Sequence, residues 1–270
     1  MDGLYLYCIR GENDSSSFSL KGIDNMNEVY VIPYKELEAI VSRISLDEFD
    51  SEEIKRKAQE NLDWIKEKIV IHEKVVEEAM KRNGKVMSVI PMKFGTIFAG
   101  EKRLIETLDK QCEQFKTALN KLEGKEEWGV KMYLTGKGQI EETIKTESEI
   151  IKEIERKIAG LPEGIAYFHE SELKEAISNE VVKKINYTKK NIYKELKLNA
   201  EDAIECKILE KEITGRLESM ILNASYLIKK EMVEEFIQSA ERKNKELNPQ
   251  GFSLEYSGPW PPYYFGEQNV

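Results

Sequence analysis

The spacing of the apolar residues changes along this chain, and that change limits the fold more than any single motif does. Up to Ile44 they fall in short β-branched and aromatic runs: Leu4–Ile9, Val29–Ile32 ahead of Pro33, and Leu37–Ile44. The first two read as strands. The third suits strand or helix by period alone and is read as strand. A polar stretch over 11–17 separates the first from the second. Leu62, Ile65, Ile69, His72, Val76 and Ala79 then recur at steps of three and four, which predicts an amphipathic helix stopped by Asn83-Gly84. Val86–Ile90 reads as a buried strand closed by Pro91, and Leu104, Leu108, Cys112, Phe115, Leu119 and Leu122 mark one face of a second helix. Trp128, Val130, Met132 and Leu134 alternate with mostly polar positions, as expected of a half-buried strand ending the first unit. The predicted fold class is therefore α+β. Residues 1–136 form a ferredoxin-like sheet-plus-helices domain, with the helices on one face.

Beyond Gly136-Lys137-Gly138 the composition shifts to Glu, Lys and Ile. Ile140, Ile144, Glu147, Ile151, Ile154, Ile158 and Leu161 follow a heptad seam interrupted by one Glu, ending at residues 160–164. Leu173, Ile177, Val181, Ile185, Thr188, Ile192 and Leu196 mark a long second helix, so the two are expected to fold back as an antiparallel hairpin. Glu170, Glu172 and Glu175 sit toward its start and Lys183, Lys184, Lys189, Lys190 and Lys194 toward its end, complementing the helix dipole. The lysines are read as a solvated helix face, with a phosphate or partner patch as the alternative. Met220–Ile228 as strand, Glu231–Leu247 as helix and Phe252–Tyr256 as strand complete a second domain over 137–257. A tail over 258–270 opens with Gly258-Pro259-Trp260-Pro261-Pro262-Tyr263-Tyr264-Phe265. Its prolines exclude a helix or central strand, so it is expected to be extended, polyproline-like or turned.

Charge and cysteine usage narrow the function classes. The chain has 41 basic and 50 acidic residues, a net charge of -9, which disfavours nucleic acid because such binding draws on basic side chains that displace counterions. No apolar run reaches the ~20 residues of a membrane helix and the start lacks a basic signal-peptide region, so a cytoplasmic protein without a lipid-membrane role is expected. Cys8, Cys112 and Cys206 are odd in number and far apart, which gives neither a disulfide framework nor a metal knuckle.

Catalytic motifs are missing from the sequence. His72-Glu73 lacks the second histidine of a zinc-protease motif, Gly136-Lys137-Gly138 is too short for a phosphate loop, and neighbouring glutamates such as Glu77 and Glu78 point to different sides of a helix. No enzyme, cofactor or metal is expected. Two segments stand out instead. In Pro91-Met92-Lys93-Phe94-Gly95 a lone cation lies between apolar residues, ahead of a glycine suited to positive φ. In Gly258-Pro259-Trp260-Pro261-Pro262-Tyr263 aromatic and proline side chains offer a low-entropy contact surface. Each is either a structural element of its own domain or a partner-binding surface.

These segments carry a resemblance. Residues 91–98, Pro-Met-Lys-Phe-Gly-Thr-Ile-Phe, preceded by His72-Glu73-Lys74-Val75-Val76, together with Leu222–Leu227 and the string from Gly258 to Tyr263, resemble the signatures of the gas vesicle protein F/L family (GvpL/GvpF) in order along nearly the whole chain. Lys93 stands where many relatives carry arginine, and Tyr264 where serine is common. The resemblance implies a gas vesicle accessory or minor structural protein. It would bind the major shell protein and other accessory proteins during assembly, without catalytic residues. It leaves open whether the chain is an F or an L member and whether it self-associates. The competing reading is a ferredoxin-like regulatory module for a small ligand, which would show a pocket and a ligand-dependent rise in melting temperature.

Overall fold

The computed structural model describes residues 2–12, 18–49, 54, 56–57, 60–82 and 85–266. The expected helix stop at Asn83-Gly84 and most of the polar stretch after Gly11 lie outside them. The chain divides into two compact units, one of residues 1–127 and 259–270, the other of 128–258.

In the first unit, β1 (Asp2–Gly11), β2 (Val29–Tyr34), β3 (Leu37–Ser45), β6 (Val89–Pro91) and β7 (Ile97–Phe98) form one antiparallel sheet. A short ribbon, β4 (Lys81–Arg82) with β5 (Lys85–Val86), stands apart from it. The order β2-β3-β1-β6 is the strand order of a ferredoxin-like sheet. Among the described residues no helix joins β1 to β2; the single turn α1 (Leu46–Phe49) follows β3. β1 is central, and every residue from Leu4 to Arg10 is buried. Successive side chains of a strand point to opposite faces, so both faces of β1 must be covered. α2 (Leu62–Ala79) supplies one cover, packing Val75, Val76 and Ala79 on Tyr5, Tyr7 and Cys8. α3 (Glu101–Leu122) also packs on β1, and its buried Leu104, Leu108 and Phe115 take no part in that cluster. It covers the other face. One helix thus lies on each side, where the sequence pattern suggested both on one.

The buried side of α2 is also rotated from the predicted stripe. Lys68, His72, Val75, Val76 and Ala79 are buried, while Leu62 is 67% and Ile69 43% exposed. His72, Val76 and Ala79 of the predicted stripe are buried, while the stem of Lys68 fills a core position that a hydrophobic count assigns to neighbouring leucine or isoleucine. Asn61 caps the helix start, its side-chain oxygen accepting from the N–H groups of Asp63 and Trp64. At the other end the buried Arg10 donates from Nη1 to the Ala79 carbonyl at 2.9 Å and from Nε to Glu38 at 2.8 Å. A cation thus closes the negative end of the helix.

The second unit is built on a four-stranded sheet, order β11-β8-β10-β9, from β8 (Lys125–Leu134), β9 (Asp202–Glu205), β10 (Ser219–Lys229) and β11 (Phe252–Trp260). The strand around Trp128, expected to end the first sheet, therefore belongs to the second. Alternation cannot distinguish which sheet a strand joins. Trp128, Val130, Leu222, Tyr226, Phe252 and Leu254 meet Phe236 of α8 (Val233–Leu247) and Ile192 and Leu196 of α6 (Glu163–Lys197) in one core. The predicted helical hairpin is present, with its first arm broken into α4 (Lys137–Glu147) and α5 (Glu149–Ala159). The break is at Ser148, next to the one glutamate in the heptad seam. Ser148 leaves the helical conformation at φ −76, ψ 116, and its hydroxyl caps the N–H of Ile151. Both pieces pack on α6. β11 runs on through Gly258 and Pro259 to Trp260, so the start of the expected tail is strand. Gly258 permits this course: its φ is +154, and a Cβ there would stand 2.7 Å from Cδ2 of Trp128. A short helix α7 (Lys211–Thr214) lies between β9 and β10.

Candidate functional site

The two sequence segments singled out above come together in the first unit. Pro91–Phe98 runs alongside β1 as an interrupted edge strand: β6 pairs Cys8–Arg10, β7 pairs Leu4 and Tyr5, and between them Met92 donates its N–H to Tyr7 while Leu6 donates to Thr96. The interruption is a turn at Lys93–Thr96, closed by the Thr96 N–H and hydroxyl on the Lys93 carbonyl. Gly95 has φ +84, as its place in the motif suggested. Its N–H donates to the Tyr5 hydroxyl at 3.0 Å.

His72 is the centre of this arrangement. Its Nδ1 lies 2.9 Å from the Tyr5 hydroxyl. That oxygen also accepts the Gly95 N–H, so one phenol joins the turn to the imidazole. The Phe94 ring meets the imidazole edge-on with centroids 6.0 Å apart, and the Tyr263 ring lies 6.4 Å away on a tilted approach. Burial pushes the His72 pKa down to about 4. Burial raises those of Tyr5 and Tyr263 above the ordinary phenol range, and that of Glu73, beside Tyr263, above its ordinary value. The Cys8 thiol beneath is pushed up to about 12, which leaves it protonated and inert.

The C-terminal segment is a strap on this unit. Pro261, Pro262, Phe265 and Gly266 are buried, and the Gly266 N–H donates to the Pro262 carbonyl at 2.7 Å. A Cβ on Gly266 would lie 3.4 Å from both Pro91 Cδ and Leu122 Cδ1, so the strap passes over the edge strand β6 between α2 and α3. The buried Glu127 carboxylate accepts the Tyr264 N–H at 3.1 Å. The space bounded by Met80, Leu122, Trp260 and Pro262 is about 10 Å3, near the least that can hold one water. Covering an edge strand removes its open hydrogen-bonding row from solvent.

Of the candidate residues, Pro91, Met92, Pro261 and Pro262 are therefore interior. Lys93, Pro259 and Trp260 are exposed, and Phe94, Gly95, Gly258 and Tyr263 are half-buried. Gly258 belongs to the second unit and the others to the first. The residues that hold the site and escaped the sequence reading are Tyr5, Glu127 and Phe265. The signal for Tyr5 was present: a tyrosine in a central strand needs a partner for its hydroxyl. Among the described residues no three His, Cys, Asp or Glu side chains gather as metal ligands, and no helix is long and apolar enough to cross a membrane.

Residues 3–267 match the family model described as gas vesicle synthesis protein GvpL/GvpF. The chain belongs to this GvpL/GvpF family. It is 27% identical to gas vesicle protein F1 of Halobacterium salinarum, over 100% of this chain and 95% of that protein. It is 22% identical to gas vesicle protein L of a Streptomyces species, over 87% and 82%. The crystal structure of GvpF from Anabaena sp. PCC7120 superposes with a TM-score of 0.75 at 20% identity, covering 100% of both chains. That of GvpF from Microcystis aeruginosa gives 0.67 at 20%, over 98% and 99%. GvpL/GvpF is a gas vesicle family and not an enzyme family. F and L proteins both stand among the relatives, which bears on the family and leaves the F or L assignment open.

Proposed function

We propose that this chain acts without catalysis in gas vesicle assembly, in the cytoplasm and at the vesicle, binding the major shell protein and other accessory proteins. Membership of a gas vesicle family supports the setting. The observation that carries the binding face is the meeting of both motif segments on His72. A frame of the buried Pro91, Met92, Pro261 and Pro262 with the half-buried Tyr263 holds Lys93, Phe94 and Trp260 at the surface of the first unit. Trp260 is 44% exposed. A partly exposed aromatic on a rigid frame is the kind of residue that dominates protein interfaces, because little ordering entropy is lost on binding. A soluble partner that covers apolar surface suits a shell protein that would aggregate before assembly.

The experiment is co-expression with the shell protein and pull-down of the Phe94→Ala/Trp260→Ala double variant, with circular dichroism as the fold control. Weakened capture with an unchanged spectrum is expected. Undiminished capture would reject these contact residues, and unfolding would assign both side chains to the frame.

A further inference from the structure

The outward side of α6 carries a stripe that the face on the first unit does not use. Lys183, Tyr187, Lys190, Lys194 and Lys197 follow one another at steps of three and four, and so share one side of the helix. They lie opposite Val181, Thr188, Ile192 and Leu196, which are buried. Tyr187 is 65% exposed, and Leu198 at the end of the stripe 84%. Lys183 is paired with Glu180 at 2.7 Å. Lys190, Lys194 and Lys197 make no ion pair among the described residues. From Lys183 to Leu198 the stripe runs about 22 Å, at 1.5 Å per residue. On a chain of net charge -9, three unpaired lysines on successive turns beside an exposed aromatic concentrate positive potential in a strip one helix wide.

We propose that this stripe docks an acidic amphipathic helix of a partner protein, with its carboxylates on the lysines and its apolar positions over Tyr187 and Leu198. Charge complementarity selects an acidic partner. The three-and-four spacing with interleaved apolar side chains matches a helix laid along α6. A nucleic acid or lipid surface fits less well. Glu180, Glu195 and Glu205 flank the lysines, and a phosphate array would meet those carboxylates as well. The inference concerns the second unit and stands whether or not the face around Trp260 is correct.

The test uses the full chain and a synthetic helical peptide with a leucine stripe flanked by glutamates, set against the same peptide with glutamine at each glutamate. Binding is followed by fluorescence anisotropy of the labelled peptide. The acidic peptide is expected to bind with an affinity that falls as salt rises. The Lys190→Glu/Lys194→Glu/Lys197→Glu variant should lose about tenfold or more, and Tyr187→Ala several-fold, with unchanged circular dichroism since these side chains are exposed. No binding, equal binding of the glutamine peptide, or binding indifferent to the triple variant would overturn the proposal. So would preferential binding of a single-stranded oligonucleotide or anionic vesicles, or a dimer in sedimentation that the triple variant dissociates.

Discussion

The Tyr5 hydroxyl and the Nδ1 of His72, 67 positions apart in the chain, stand 2.9 Å from each other. This one contact ties the central strand to α2 and, through the Gly95 N–H on the same hydroxyl, to the exposed turn. It also anchors the ring of a histidine that burial keeps uncharged.

That histidine sets an acid limit on stability. The folded-state pKa of His72 is about 4 against 6.5 when exposed, so the unfolded chain binds one more proton between these values. Stability therefore falls with decreasing pH across that window, by about 1.4 kcal/mol per pH unit. Glu73 acts with the opposite sign: its folded pKa is raised above 4.5, so it costs stability as pH rises through that region. Urea denaturation at a series of pH values should show a slope of His72 sign between pH 6.5 and 4, and His72→Gln should flatten it.

The strap is expected to stabilise the first unit substantially. Phe265 is 6% exposed and lies beneath the Lys121 ammonium, 5.8 Å from the ring centroid. Phe265→Ala should cost about 3 kcal/mol. Tyr264→Ala, at a ring that is 46% exposed, should cost less than about 1 kcal/mol. Chemical denaturation monitored on each variant checks the contrast.

Arg10 and Glu38 form a buried pair at 2.8 Å that also closes the end of α2. Arg10→Met alone leaves a buried carboxylate and should destabilise by about 3–5 kcal/mol. Arg10→Met with Glu38→Leu should recover most of that loss, since the buried carboxylate is then removed along with its cation. A double-mutant cycle by thermal or urea unfolding measures the coupling.

In the second unit Gly251 has φ +85, and a Cβ would stand 2.3 Å from the carbonyl oxygen of Gly136. Gly251→Ala should therefore cost more than about 2 kcal/mol, because backbone and not a movable side chain is in the way. Ser148→Ala, removing the cap of α5, should cost about 1 kcal/mol. Unfolding midpoints at constant denaturant slope report both.

Local pattern made much of this fold legible and long-range pairing much less so. The helix carrying Leu104 and Phe115 and the hairpin stripe through Ile192 follow from spacing, since period tracks burial on one face, while the strands at Leu4, Val29 and Leu37 follow from short runs rich in β-branched and aromatic residues. The sheet to which Trp128 belongs does not, because alternation says which face is buried and nothing about which neighbour pairs. The rotation of α2 escaped for a related reason: Lys68, a charged residue, fills a core position. In the candidate face, the positive φ of Gly95 was readable from a single residue. The meeting of Phe94 and Tyr263 on His72 depends on contacts between segments nearly two hundred positions apart, and no local signal encodes those.

The strap has a consequence for biosynthesis. The residues that cover β6 are translated after the entire second unit, so on a ribosome the first sheet waits on the order of ten seconds with that border bare. Its completion reports that the message has been read through to the strap, and a prematurely terminated product would keep a border prone to capture by chaperones or by its own kind.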